Sequence, residues 1–450
     1  MERQSNFDRR AFLKNVALGA AGMGIAGSAM AAGMAPTVAR ADIDEAAGST
    51  SDGETPMTLE ELNAFRQQLV DAQTDYTCAD GTVIPAVYVK LRALVNSYSF
   101  GIGSEVNDHA FDEFVYLFTE DEAQAYLEMP YGVQFSAADF ALKSGRNEDE
   151  CLALCEDLAS RALLFRVRRG GVPYFNQIGM AYGLWEWRCC GDDSLEWAEA
   201  HNAVWGADSA DNKMGTLSPF YYSIPASHDV VADETVYPYD DYLKIVERNT
   251  VFGVAPCQCQ KLFTTLGTLE TDVELERCLV FGENAEYCIA NGFAREITKD
   301  EALAIMEKCR DEGMVFHTTW TKEPDVICNC PKGVCGILTT YQALGDAMGE
   351  YNTCANLSHY DLVYDKDSCI KCGMCMERCP VECISMDEDG YPVRNMACVR
   401  CGQCGIVCPQ GARTLTLRDL TDVPELSSSL LDDYNLKAEY RVRTGMLAID

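Results

Sequence analysis

Cys369-Ile-Lys-Cys372-Gly-Met-Cys375-Met-Glu-Arg-Cys379-Pro380 is followed by Cys398-Val-Arg-Cys401-Gly-Gln-Cys404-Gly-Ile-Val-Cys408-Pro409. The second run repeats the first at an offset of 29 residues, Gly402 matches Gly373, and both end in Cys-Pro. Three cysteines two residues apart let one tight loop wrap three corners of an iron–sulfur cube, and the fourth, leading out of the loop, reaches the other cube. The spacing therefore predicts two [4Fe–4S] clusters, one on Cys369, Cys372, Cys375 and Cys408, the other on Cys398, Cys401, Cys404 and Cys379. Two zinc ions would need only four thiolates each, with no preference for three-plus-one runs closed by proline.

The segment Asp365–Leu417 closely resembles the two-cluster bacterial ferredoxins. Asp389-Gly390 reads as the hairpin turn between the halves, and 18 residues separate Cys379 from Cys398. The resemblance implies two low-potential clusters close enough for rapid electron hopping. Cys383 stands where such proteins usually carry a small packing residue, and is read as packing.

A second cysteine group precedes this one: Cys257 and Cys259, Cys278 and Cys288, then Cys328, Cys330 and Cys335. Pro256-Cys257-x-Cys259, Cys278-Leu279-x-Phe281-Gly282, the stretch Arg295–Leu303 and Ile327-Cys328-Asn329-Cys330 look like a family of large ferredoxin-type iron–sulfur proteins. In that family a winged-helix-like region and a cysteine-rich middle domain precede the C-terminal ferredoxin, and the resemblance covers most of residues 85–417. The chain departs from it after Cys330, where relatives have adjacent cysteines and this sequence has Pro331-Lys332-Gly333-Val334-Cys335. Two C-x-C pairs, each just after a short predicted strand, could face one another across strand ends. Gathered thiolates repel unless a cation binds them. Cys257, Cys259, Cys278, Cys328, Cys330 and Cys335 are thus candidates for a third metal centre, with iron–sulfur, zinc and disulfides all open.

The 450 residues are 48% hydrophobic, enough to bury real cores, and carry 23 cysteines and a formal net charge of −34. Such acidity argues against nucleic acid or an anionic membrane surface as partner, since both are held by clustered Lys and Arg. Asp8-Arg9-Arg10-Ala11-Phe12-Leu13-Lys14 resembles the twin-arginine export signal. The uncharged run Val16–Met34 behind it is too weakly apolar for a stable membrane anchor, and Ala39-Arg40-Ala41 offers a small-x-small cleavage pattern. Removing residues 1–41 deletes five basic groups and two acidic ones, taking the charge from −34 to −37. Exported proteins usually commit cysteines to disulfides. Ligand spacings behind a signal for already folded cargo make a consistent alternative.

The expected architecture is α+β and multidomain. Residues 1–41 are the signal peptide and 42–57 a linker. Residues 58–180 form a helical, winged-helix-like region, and 181–345 an α/β, aromatic- and cysteine-rich middle domain. Residues 358–417 are the two-cluster ferredoxin domain and 418–450 a C-terminal tail with one helix packed back on the body. Capping pairs Thr58/Glu61, Thr119/Glu122, Ser136/Asp139 and Thr298/Glu301 start helices. A hairpin turns at Arg169-Gly170-Gly171 after a helix over 148–162, with Arg161, Arg166, Arg168 and Arg169 as a basic wing. The aromatic residues of 174–242 and the thiols of Cys151 and Cys155 read as core. His201 and His228 lack ligand spacing.

No nucleotide-binding glycine fingerprint and no Ser/His/Asp or paired-carboxylate set stands out, and five histidines leave little for acid–base chemistry. The expected function is an exported electron-transfer protein or subunit passing single electrons to or from an extracytoplasmic partner oxidoreductase, rather than a stand-alone enzyme. The alternatives are a reductive dehalogenase-like corrinoid iron–sulfur enzyme and a redox-sensing winged-helix regulator.

Overall fold

Three capping boxes foreseen in the sequence close as foreseen. Thr58 with Glu61, Thr119 with Glu122 and Ser136 with Asp139 each exchange side-chain-to-backbone hydrogen bonds, starting the helices Leu59–Asp71, Glu120–Glu128 and Ala137–Ser144. Each pair satisfies N–H groups that the first helical turn leaves orphaned. A computed structural model describes residues 56–103, 106–206, 216–232, 236–345 and 357–449. The expected signal peptide, residues 1–41, and residues 42–55 of the expected linker lie outside the described residues.

After a two-strand ribbon of β1 (Tyr76–Thr77) and β2 (Val83–Ile84), the N-terminal part is helical. Helices Glu120–Glu128, Ala137–Ser144 and Glu148–Ser160 lead into the hairpin of β3 (Phe165–Arg169) and β4 (Val172–Asn176), turned by Gly170 and Gly171 at positive φ. Every arginine of the expected basic wing is spoken for. Arg161 pairs with Glu122 and Asp157, Arg166 and Arg168 share Glu156, and Arg169 reaches Glu283.

The middle of the chain forms one six-stranded sheet from β5 (Tyr221–Ile224), β6 (Phe252–Pro256), β7 (Glu276–Phe281), β8 (Arg295–Glu296), β9 (Val315–Thr319) and β10 (Val326–Cys330), in the order β5-β9-β10-β7-β6-β8. Every pairing is antiparallel. This corrects the α/β expectation: helices intervene between strands, but they do not serve parallel crossovers. Side chains alternate across a strand, so each strand feeds two cores. Tyr222, Ile224, Val254, Leu279, Phe316 and Ile327 belong to one cluster, with helix Lys299–Asp311 contributing Met306. Cys278, Val280, Val326, Cys328 and Cys330 face the other way, into the larger core shared with the N-terminal helices. With both faces covered, the strands read as near-continuous apolar runs.

The C-terminal cysteine runs sit between β11 (Tyr360–Tyr364), β12 (Ile384–Met386), β13 (Pro392–Arg394) and β14 (Arg413–Leu417). β11 pairs with β14 and β12 with β13, Gly390 turning the latter hairpin at φ +79°. The last described helix, Leu430–Arg443, packs back on the body: Arg441 donates to the carbonyls of Asn96 and Ser99, and Lys437 to that of Pro219.

Candidate iron–sulfur and thiolate sites

The repeat in sequence is a repeat in backbone. Lys371, Gly373 and Glu382 hold positive φ, and so do Arg400, Gly402 and Gly411, their counterparts 29 residues on. Three of these six, Lys371, Glu382 and Arg400, carry bulky side chains for which left-handed backbone is unfavourable, so the duplicated loop geometry is imposed by what surrounds the loops. Around the first loop, Cys369, Cys372, Cys375 and the distant Cys408 line one cavity, together with Tyr364 and Arg413. Backbone N–H groups point at its sulfurs, from Lys371 to Cys369 at 3.4 Å and from Ala412 to Cys408 at 3.2 Å. Arg413, itself buried, stacks its guanidinium over Tyr364 and lies beside Cys375. Donors and a cation turned toward four sulfurs are what a cluster of net negative charge needs.

Around the second loop the charges of Cys379, Cys398, Cys401 and Cys404 act on one another. The two groups differ in exposure. Cys372 is exposed and Cys369 and Cys408 are half-buried, whereas Cys379, Cys398, Cys401 and Cys404 are all buried. Cys383, read from sequence as packing, does more: its thiol lies 3.5 Å from Cys379 and also contacts Cys398. Donation from Cys383 favours the thiolate form at both neighbours.

Both cysteine runs also join this domain to the rest of the molecule. Arg378 donates to the carbonyls of Arg310 and Asp311, at the end of helix Lys299–Asp311, and Gln403 donates to that of Met314. Val230 packs against Gly402 and Gly405, where an added Cβ would meet it at 2.7 and 3.1 Å. Lys332 pairs with Glu382 at 2.6 Å.

The six candidate cysteines of the middle domain converge. Contacts run from Cys257 to Cys278, Cys328, Cys330, Cys335 and finally Cys259. Cys328 and Cys330 lie inside β10 rather than after it, on the same face, and Cys259 opens the helix Gln258–Thr265. Cys288 stays apart, hydrogen-bonded to Asn284. Cys335 is driven toward the thiolate by its contacts with Cys259 and Cys330, and Cys328 by those with Cys278 and Cys330.

Three residues of this seam escaped the sequence reading. His317 faces Cys330, Nδ1 to Sγ at 3.2 Å, and burial pushes its imidazole down to about 4, keeping a free lone pair. Burial works against the charge of Arg277, but the sulfurs of Cys257, Cys278 and Cys330 outweigh it. Tyr221 approaches Cys328. The signal for His317 was the alternation itself: β9 pairs His317 with Cys328, so it shares the face of the C-x-C pair. All described cysteines are free thiols.

His201 is buried against Glu113 and His228 pairs with Asp241, so neither joins a site. Among the described residues no helix is long and apolar enough to cross a membrane.

Comparison with known families matches residues 368–413 to the 4Fe–4S dicluster domain. The chain thus contains a ferredoxin-type iron–sulfur domain. Neither the curated proteins nor the solved structures contain a match to the chain.

Proposed function

We propose that this is an exported electron-transfer protein or subunit that holds two [4Fe–4S] clusters and exchanges single electrons with a partner oxidoreductase. The observation that carries the reading is the asymmetry of the two cysteine groups, one open at Cys372 and one enclosed. Bound in these sites, the clusters would supply one-electron redox couples. Cys369, Cys372, Cys375 and Cys408 would hold the outer one, and Cys398, Cys401, Cys404 and Cys379 the inner one.

The chain's own residues provide the rest. Ile370, Met374 and Met376, 59%, 43% and 38% exposed, form an apolar rim beside Cys372 on an otherwise acidic protein. Such a rim suits the small, transient interface of an electron-transfer encounter. The expected basic wing is neutralised by carboxylates, which supports a protein partner over nucleic acid. Export rests on Arg9-Arg10 and the weakly apolar run behind them.

The test is stepwise reduction of the anaerobically purified chain, followed by electron spin resonance. Uptake of two electrons with two interacting cluster signals supports the reading. A chain carrying iron at only one group, or none, refutes it.

A further inference from the structure

We propose that His317, Cys259, Cys330 and Cys335 form a four-coordinate site for a single zinc ion, separate in kind from the ferredoxin-type centres. The argument is one of scale. In a tetrahedral zinc site, Zn–S bonds of about 2.3 Å and Zn–N bonds of about 2.0 Å place ligand atoms roughly 3.5–3.8 Å from one another. A [4Fe–4S] cube instead interposes its own irons and sulfides, and its thiolates stand well apart.

The molecule contains its own standard for that comparison. Nδ1 or Nε2 of His317 and the sulfurs of Cys330 and Cys335 all lie within 4.8 Å of one another. Among the described residues, no three of the eight ferredoxin-type thiols come so close. The middle-domain trio is drawn to the size of one ion, and the ferredoxin-type groups are more widely spaced.

Cys259, outside that 4.8 Å trio, is the fourth ligand of the proposal. It contacts Cys335 directly, and its sulfur lies 3.8 Å from the position of a Cβ on Gly336. Cys328 also touches Cys330, but it is turned to Cys278 and Tyr221 on the far side. Three thiolates and a neutral imidazole around a divalent ion carry one net negative charge, and the Arg277 guanidinium beside Cys330 offsets it. Sulfur with one imidazole nitrogen is a ligand set that selects zinc among the common divalent ions.

The four ligands come from β9, the end of β10, the 331–335 loop and the start of helix Gln258–Thr265. Lys332 in that loop grips Glu382 of the ferredoxin-type domain. The ion would therefore fasten two interior strands of the sheet against the buried cysteine group.

Zinc and iron are to be measured per chain on the full-length protein purified anaerobically. One zinc alongside the iron is expected. His317→Ala and Cys335→Ser should each lose it with iron unchanged, Cys328→Ser should keep it, and His317→Cys, which restores a ligand, should keep it too. The last variant separates ligation from folding. Because zinc is the readout, the result stands whether or not the C-terminal sites are loaded. Roughly four irons beyond the ferredoxin complement with no zinc, absence of any extra metal, or zinc retained in both His317→Ala and Cys335→Ser would overturn the proposal.

Discussion

The thiol of Cys383 stands 3.5 Å from the sulfur of Cys379 and contacts Cys398 as well, placing a fifth cysteine inside a group that needs four. Hydrogen bonds to ligand sulfur stabilise the more negative, reduced state. Cys383→Ala should lower one reduction potential by tens of millivolts, the scale of one hydrogen bond of about 1 kcal/mol. The other couple should not move. Potentiometric titration of both proteins checks this, and two unchanged couples would return Cys383 to a packing role.

Cys379 is close in sequence to the first loop but acts electrostatically on Cys401 and Cys404. Cys379→Ala should therefore damage the centre on Cys398, Cys401 and Cys404 and spare the one on Cys369, Cys372 and Cys375. Iron would fall from about eight toward about four per chain. Loss of the exposed centre's resonance signal instead would show that the groups do not cross.

Asp325 faces Tyr182 and Cys288, and burial pushes its carboxyl up to about 7. The folded chain then holds a proton that the unfolded chain releases near its ordinary value of 3.8. Stability from this group is full below about 4, falls as pH rises from there to about 7, and is level above. Asp325→Asn should flatten that slope and make the protein more stable than wild type at pH 8. Denaturant midpoints at pH 5 and 8 measure it, and parallel shifts of both proteins would dismiss the assignment.

Gly101 holds φ +80°, and a Cβ there would lie 2.4 Å from the Arg441 guanidinium. Gly101→Ala combines left-handed strain with displacement of a buried cation, together roughly 1–3 kcal/mol. The thermal midpoint should drop by several degrees. An unchanged midpoint would mean that the last helix is not clamped at this point.

Changing Arg9 and Arg10 together to Lys should leave cluster-loaded precursor in the cytoplasm. Fractionation with an antibody to the mature chain reads this out. Normal export of the double variant would remove the twin-arginine assignment.

Legibility followed the range of the interactions. Capping pairs such as Ser136 with Asp139 act over three residues, and the sequence displays them whole. The duplicated cysteine runs are equally local, so both loops could be drawn before the fold was known. The six middle-domain cysteines were legible as a set because two C-x-C pairs mark them apart from the ferredoxin-type runs. Their order around the site was not, since it depends on antiparallel pairing of β9 with β10 and β10 with β7. His317 was hidden for the same reason: only cross-strand register joins it to Cys330, 13 residues away. An α/β middle domain was expected because helices alternate with strands, but strands buried on both faces look alike in either pairing sense.

Arg441 bonds to Asn96 and Ser99, residues roughly 340 positions earlier in the chain. On a ribosome, Asn96 and Ser99 are made long before this partner, with the whole cysteine-rich part synthesised in between. This contact can therefore form only once Arg441 has been translated. A product ending before Arg441 would lack these hydrogen bonds and leave Asn96 and Ser99 at an open seam.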